Sequence, residues 1–112
     1  MDRKTRLIGE RRATVDFPAR YGPVKMASTL NARVTQISTT GLRLRTADEL
    51  AIGAVVNIAF DVDSSPPISC AIRAQVVRNL PGHKPEFEYG LVSVDDMTNS
   101  LEALCSVSLG MP

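Results

Sequence analysis

The feature that most limits what this chain can fold into is an apolar period of two, repeated in short segments. Leu42 and Leu44 alternate with Arg43 and Arg45, giving that segment one apolar and one cationic face. Within 54–61, Val56, Ile58 and Phe60 share a face. Farther on, Ile68, Cys70, Ile72, Ala74 and Val76 do the same, with Ser69, Arg73 and Gln75 opposite. Phe87, Tyr89 and Leu91 alternate with Glu86, Glu88 and Gly90, and segments 17–21 and 29–37 fit strands less cleanly. The separators are turn formers: Gly22-Pro23, the stretch 38–41, Asp63-Ser64-Ser65-Pro66-Pro67, and 80–85. Six short strands at regular spacing follow from this pattern.

The period becomes helical at the C-terminus. Met97, Leu101, Leu104, Cys105 and Ser108 fall on one helix face, Asn99 with Glu102 matches a capping box, and Gly110 offers a stop. The expected fold is therefore all-β: a small six-stranded antiparallel β-barrel with a C-terminal α-helix at about 96–109. Barrel closure disposes of the sheet edges, and the helix is expected to lie as a lid on one open end. A length of 112 residues holds one domain. Residues 1–12 are expected as a flexible basic arm and 13–112 as the barrel domain.

Charge is nearly balanced overall, at +1, but not along the chain. Residues 1–25 carry seven basic and three acidic side chains; residues 26–112 carry six and nine. Arg3, Lys4, Arg6, Arg11 and Arg12 thus form a cationic arm on a mildly acidic body. Such an arm suits an anionic partner of limited size, and a solvated tail is the plain alternative. There is no Trp, and Phe and Tyr together number five, which argues against the stacking platform of a single-strand DNA or RNA binder.

His83, the single histidine, sits in a turn-like Pro81-Gly82-His83-Lys84-Pro85. No metal-ligand spacing and no nucleophile–base set can be assembled, so neither a metal site, a cofactor nor an enzyme is expected. Cys70 and Cys105 fall in apolar periodic segments and are expected as buried thiols. No apolar run is long enough for a membrane span, and the basic start lacks the apolar core of a signal peptide, which makes the expected location cytoplasmic.

Two regions remain that packing does not explain: the arm ending in Glu10-Arg11-Arg12, and Gln36-Ile37-Ser38-Thr39-Thr40-Gly41 with Arg43 and Arg45 behind it. A turn carrying three hydroxyls and a glycine gathers polar groups suited to a phosphate or a base edge. The alternative is a polar hairpin turn.

The order of these elements resembles the PilZ domain over about residues 10–109. Ser38-x-x-Gly41 is followed by Leu42-x-Leu44, then Leu50-Ala51-Ile52-Gly53 before a strand, Ala74-Gln75-Val76-Val77-Arg78, and Glu88-Tyr89-Gly90-Leu91. The resemblance implies a barrel that binds cyclic di-GMP, a bacterial second messenger, through R-x-x-x-R and D/N-x-S-x-x-G motifs. In that family the arginines hold phosphate and stack on guanine, a role suited to a planar, forked cation. Carried over, the ligand-binding residues are Arg11, Arg12, Gln36, Ser38 and Gly41, with Arg43 and Arg45 as further candidates.

Two positions depart from the motifs. Asp16 stands where the second arginine counted from Arg12 belongs, and Gln36 replaces Asp or Asn. One charge-assisted hydrogen bond lost costs about 1.5–3 kcal/mol, or 10- to 100-fold in affinity. Two functions follow from the resemblance. One is a cyclic di-GMP receptor that signals to an effector protein by ordering its arginine arm, in motility, exopolysaccharide synthesis or surface attachment. The other is an adaptor that has lost the nucleotide and acts through protein contacts.

Overall fold

The computed structural model describes residues 12–25, 27–63, 67–96 and 101. Six strands are present: β1 (Arg12–Pro23), β2 (Leu30–Ser38), β3 (Gly41–Thr46), β4 (Val55–Val62), β5 (Ile68–Leu80) and β6 (Phe87–Asp96). They close into a barrel in the order β1-β2-β3-β6-β5-β4, with every neighbouring pair antiparallel. Two three-stranded meanders are thus joined along two seams, β3–β6 and β4–β1. The β4–β1 seam is the shorter of the two, pairing Arg20–Pro23 with Val56–Ala59, while β3–β6 pairs Gly41–Thr46 with Phe87–Val92.

Because β3 and β4 lie opposite each other in the ring, the connection 47–54 crosses one end of the barrel. It is tied down there: Gly53 N–H donates to the Val76 carbonyl at 2.7 Å, Val76 N–H to the Ala54 carbonyl at 2.8 Å, and Leu50 N–H to the Tyr89 hydroxyl at 2.8 Å. Gly53 holds φ at +95°, a conformation that glycine adopts without strain.

The expected alternation builds the core. Val34, Ile37, Leu44, Ile58, Ile72 and Val76 are buried, Cys70 is buried among them, and the Phe17 and Phe60 rings stack with centroids 5.9 Å apart. Each such aliphatic side chain contributes about 1.5–3 kcal/mol by leaving water.

Where the alternation fails, a bulge explains it. Val34 pairs with Leu44 and Gln36 with Arg43, so Thr35 is an extra residue in β2. Val34 and Ile37 therefore both face inward although they are three apart, which is why 29–37 reads poorly as a strand. A second bulge lies in β5, where Val76 pairs with Leu91 and Arg78 with Gly90, leaving Val77 over. A further slip separates Thr14 from Phe17 along β1.

The first strand is longer than its sequence pattern suggested. Arg12, expected as the last residue of the arm, is the first residue of β1. Residues 1–11, including Arg11, lie outside the described residues. So do Cys105 and most of the expected helix, although Leu101 is helical and buried, its N–H donating to Asp96 Oδ2 at 2.9 Å.

Tyr21 anchors the end of β1. Its O–H donates to Asp48 Oδ2, and its oxygen lies 3.0 Å from Thr46 Oγ1. Burial, reinforced by the Asp48 carboxylate, pushes the phenol up to about 12. The unfolded chain gives up this proton near its ordinary 10 while the folded chain keeps it, so stability falls as pH rises from 10 towards 12. Urea unfolding midpoints are expected to drop through that window, the group's share being up to about 2–3 kcal/mol. In a Tyr21→Phe variant the drop is expected to be smaller by that share.

Candidate functional site

The β2–β3 hairpin reverses in two residues, Thr39 and Thr40. Ser38 makes this work: its Oγ accepts the N–H of Gly41 at 3.2 Å and of Thr40 at 3.3 Å. The turn is also pinned from β6, because Ser93 N–H donates to the Thr40 carbonyl at 2.8 Å. Gly41 is required by close approach. A Cβ there would stand 2.1 Å from the Leu91 carbonyl oxygen and 3.1 Å from Val92 Cα, both backbone atoms that cannot move aside. The Ser38 hydroxyl in turn donates to the Gly41 carbonyl at 3.4 Å and lies 3.3 Å from Thr40 Oγ1, so both its donor and acceptor capacity are engaged in the turn.

The register brings the other expected residues to this turn. Arg12 pairs directly with Ser38, and Gln36 sits between Thr14 on β1 and Arg43 on β3. The bulge at Thr35 sets that parity, turning Gln36 to the same outer face as Arg43. Arg12, Gln36, Ser38, Gly41 and Arg43 all line one surface concavity of about 230 Å³. Pockets that enclose a whole small ligand run to about 300–1,000 Å³, so this concavity has room for only part of one.

Arg45 is not part of this group. It shares a strand face with Arg43, but its Nε and Nη2 both lie 2.9 Å from Glu88 Oε1, and Nη2 is 3.1 Å from His83 Nδ1. Guanidinium only donates, so His83 Nδ1 accepts. Arg45 instead lines a separate groove of about 960 Å³, together with Arg20 and Arg33. Arg43 is held more loosely: its Nη1 is 3.9 Å from Glu88 Oε2, and its Nε is buried without a hydrogen-bond partner.

Asp16 does not line the concavity either. Its carboxylate is paired with Arg33 of β2, whose guanidinium holds it below the usual carboxylate range. The acid at the second arginine position therefore faces a neighbouring strand rather than the hairpin turn.

Sequence reasoning missed the remaining wall: Val77, Arg78, Gly90 and Val92. Simple alternation puts Arg78 in line with Val76, pointing inward. The bulge at Val77 reverses that, and no residue in the segment advertises it. Removing the turn's own hydrogen bonds is expected to be cheaper than filling its glycine. Ser38→Ala should lower unfolding free energy by about 0.5–1.5 kcal/mol. Gly41→Ala should lower it by about 1–3 kcal/mol or more; urea titrations of both variants measure the difference.

The comparisons with known proteins agree with this geometry. A family model for the PilZ domain matches residues 5–106. No curated protein matches the chain. Among solved structures, the Bacillus subtilis inhibitor of motility MotI/DgrA is similar, with a TM-score of 0.72 at 15% sequence identity, covering 90% of this chain and 49% of that one. This chain thus spans about half the length of that protein, and the likeness is one of fold. With the match running across all six strands, the chain belongs to the PilZ domain family.

Proposed function

We propose that this chain is a receptor for cyclic di-GMP, bound at the concavity beside the β2–β3 turn. The observation that carries the reading is the pairing of Arg12 with Ser38, which puts an arginine beside the serine and the close-approach glycine of one family motif on the wall of one concavity. A dinucleotide with two phosphodiesters and two guanines needs both cations and flat surface. Arg12 supplies the first, and the half-exposed Val77 and Val92 contribute apolar surface to the same concavity.

In this reading the ligand acts by position. Arg12 is fixed in β1, so the basic residues before it, Arg11 first, are drawn towards a doubly negative guest seated at the turn. The surface around the hairpin then differs between bound and free protein, and an effector protein reads that difference. No covalent step is involved. Among the described residues no helix is long and apolar enough to cross a membrane. Control of motility is the process that the name of the structurally similar MotI/DgrA points to, and it is the first setting in which to look for the effector.

Gln36, standing where the family places Asp or Asn, favours the second reading: an adaptor that keeps the barrel and works without the nucleotide. Calorimetric titration with cyclic di-GMP separates the two. Saturable binding is expected, weaker at higher salt and about 10- to 100-fold weaker in Arg12→Ala. Absence of binding at several hundred micromolar ligand would leave the adaptor.

A further inference from the structure

Three arginines, not two, surround the concavity. Arg12 comes from β1, Arg43 from β3 and Arg78 from β5, and no carboxylate is among the residues of the wall. Among the described residues neither Arg12 nor Arg78 has an ion-pair or hydrogen-bond partner. The larger groove contrasts with this. Its Arg33 and Arg45 are already paired with Asp16 and Glu88, and Asp61 and Glu86 line it as well.

Arg78 reaches the concavity through two local departures from regular strand structure. The bulge at Val77 turns it outward, and Gly90 leaves it room. A Cβ on Gly90 would stand 3.0 Å from Arg78 Nε and 3.1 Å from its Cγ, so the arginine side chain lies across the space a side chain would fill. Gly90 pairs with Arg43 on one side and with Arg78 on the other. Two strand spacings put these arginines about 10 Å apart at the backbone, and the side chain that lies over Gly90 between them is that of Arg78 itself. Arg78 thus leans across Gly90 towards the strand of Arg43, whose Nε is buried without a hydrogen-bond partner.

We propose that Arg43 and Arg78 form a clamp across Gly90 that holds a phosphate of the guanine dinucleotide, taking over the work of the motif arginine that Asp16 replaces. The clamp rests on the reading of the concavity as a dinucleotide site. It adds which cations hold the phosphate and why β5 is bulged beside them. Guanidinium forks bind phosphate oxygens through paired N–H groups, and Val77 and Val92 beside them offer apolar surface to a base.

The test is a calorimetric titration of cyclic di-GMP into the full chain and four variants: Arg78→Gln, Arg43→Gln, Gly90→Ala, and Arg78→Gln combined with Gly90→Ala. Thermal melts accompany each one. Either arginine substitution is expected to weaken binding about 10- to 100-fold. Gly90→Ala is expected to weaken it without any change of charge, by displacing Arg78. In the double variant the glycine change should add nothing further, because both act through one side chain. Wild-type affinity in Arg78→Gln, with Arg12→Ala still weakened, overturns the clamp and leaves the receptor reading standing.

If the wild type takes no dinucleotide, guanosine monophosphate is the second probe, followed through the arginine Nε–H resonances. Shifts at Arg43 and Arg78 that vanish in Gly90→Ala keep the clamp as an anion site while the receptor reading falls. No shift at either arginine overturns both.

Discussion

The approach of Gly41 to the carbonyl of Leu91 is the contact on which the rest of the molecule depends. It lies on the β3–β6 seam, where one meander meets the other, and it admits no side chain. Hold the two backbones that close and several things follow together. The β2–β3 turn is pressed onto β6, Ser93 reaches the Thr40 carbonyl, and Leu42 and Leu44 meet Leu91 and Tyr89 inside the barrel. The outer face of the same seam then presents Arg43 beside Gly90. One glycine thus sets both the closure of the seam and the shape of the concavity beside the turn.

The outer face divides its arginines between two tasks. Glu88, buried at 2% exposure, would be a costly lone charge without partners. Arg45 satisfies it closely, His83 lies against the same oxygen, and Arg43 stands at the edge of its reach. Arg45 thus belongs to the structure of the seam. Arg43, one alternation along the same strand, keeps most of its donors for something else. A similar division separates Arg33, which neutralises Asp16, from Arg12, which pairs with no acid among the described residues.

Much of this was legible in the sequence because strands that enclose a core must alternate. The barrel, its six strands and the residues of its interior follow from a period of two at positions such as Val56, Ile58 and Phe60. What could not be read was every place where the alternation is deliberately broken. Thr35 and Val77 are ordinary β-branched residues in apolar surroundings, and nothing marks either as a bulge. Yet the first aims Gln36 outward and the second brings Arg78 to the concavity. Sequence order also gave Asp16 a place in the ligand motif, whereas its carboxylate turns to Arg33 on the neighbouring strand and does not line the concavity. Pairing between strands, not spacing along them, decides which side chains share a site.

In the proposed function, Arg12, the Ser38–Gly41 turn and the Arg43–Arg78 pair act as a single ligand surface. Backbone amide spectra recorded while cyclic di-GMP is added test it most directly. The largest shifts are expected at residues 12, 36–43, 77–78 and 90–92, rising together along one saturation curve. Shifts confined to the groove of Arg20, Arg33 and Asp61, with the hairpin turn unmoved, would contradict it.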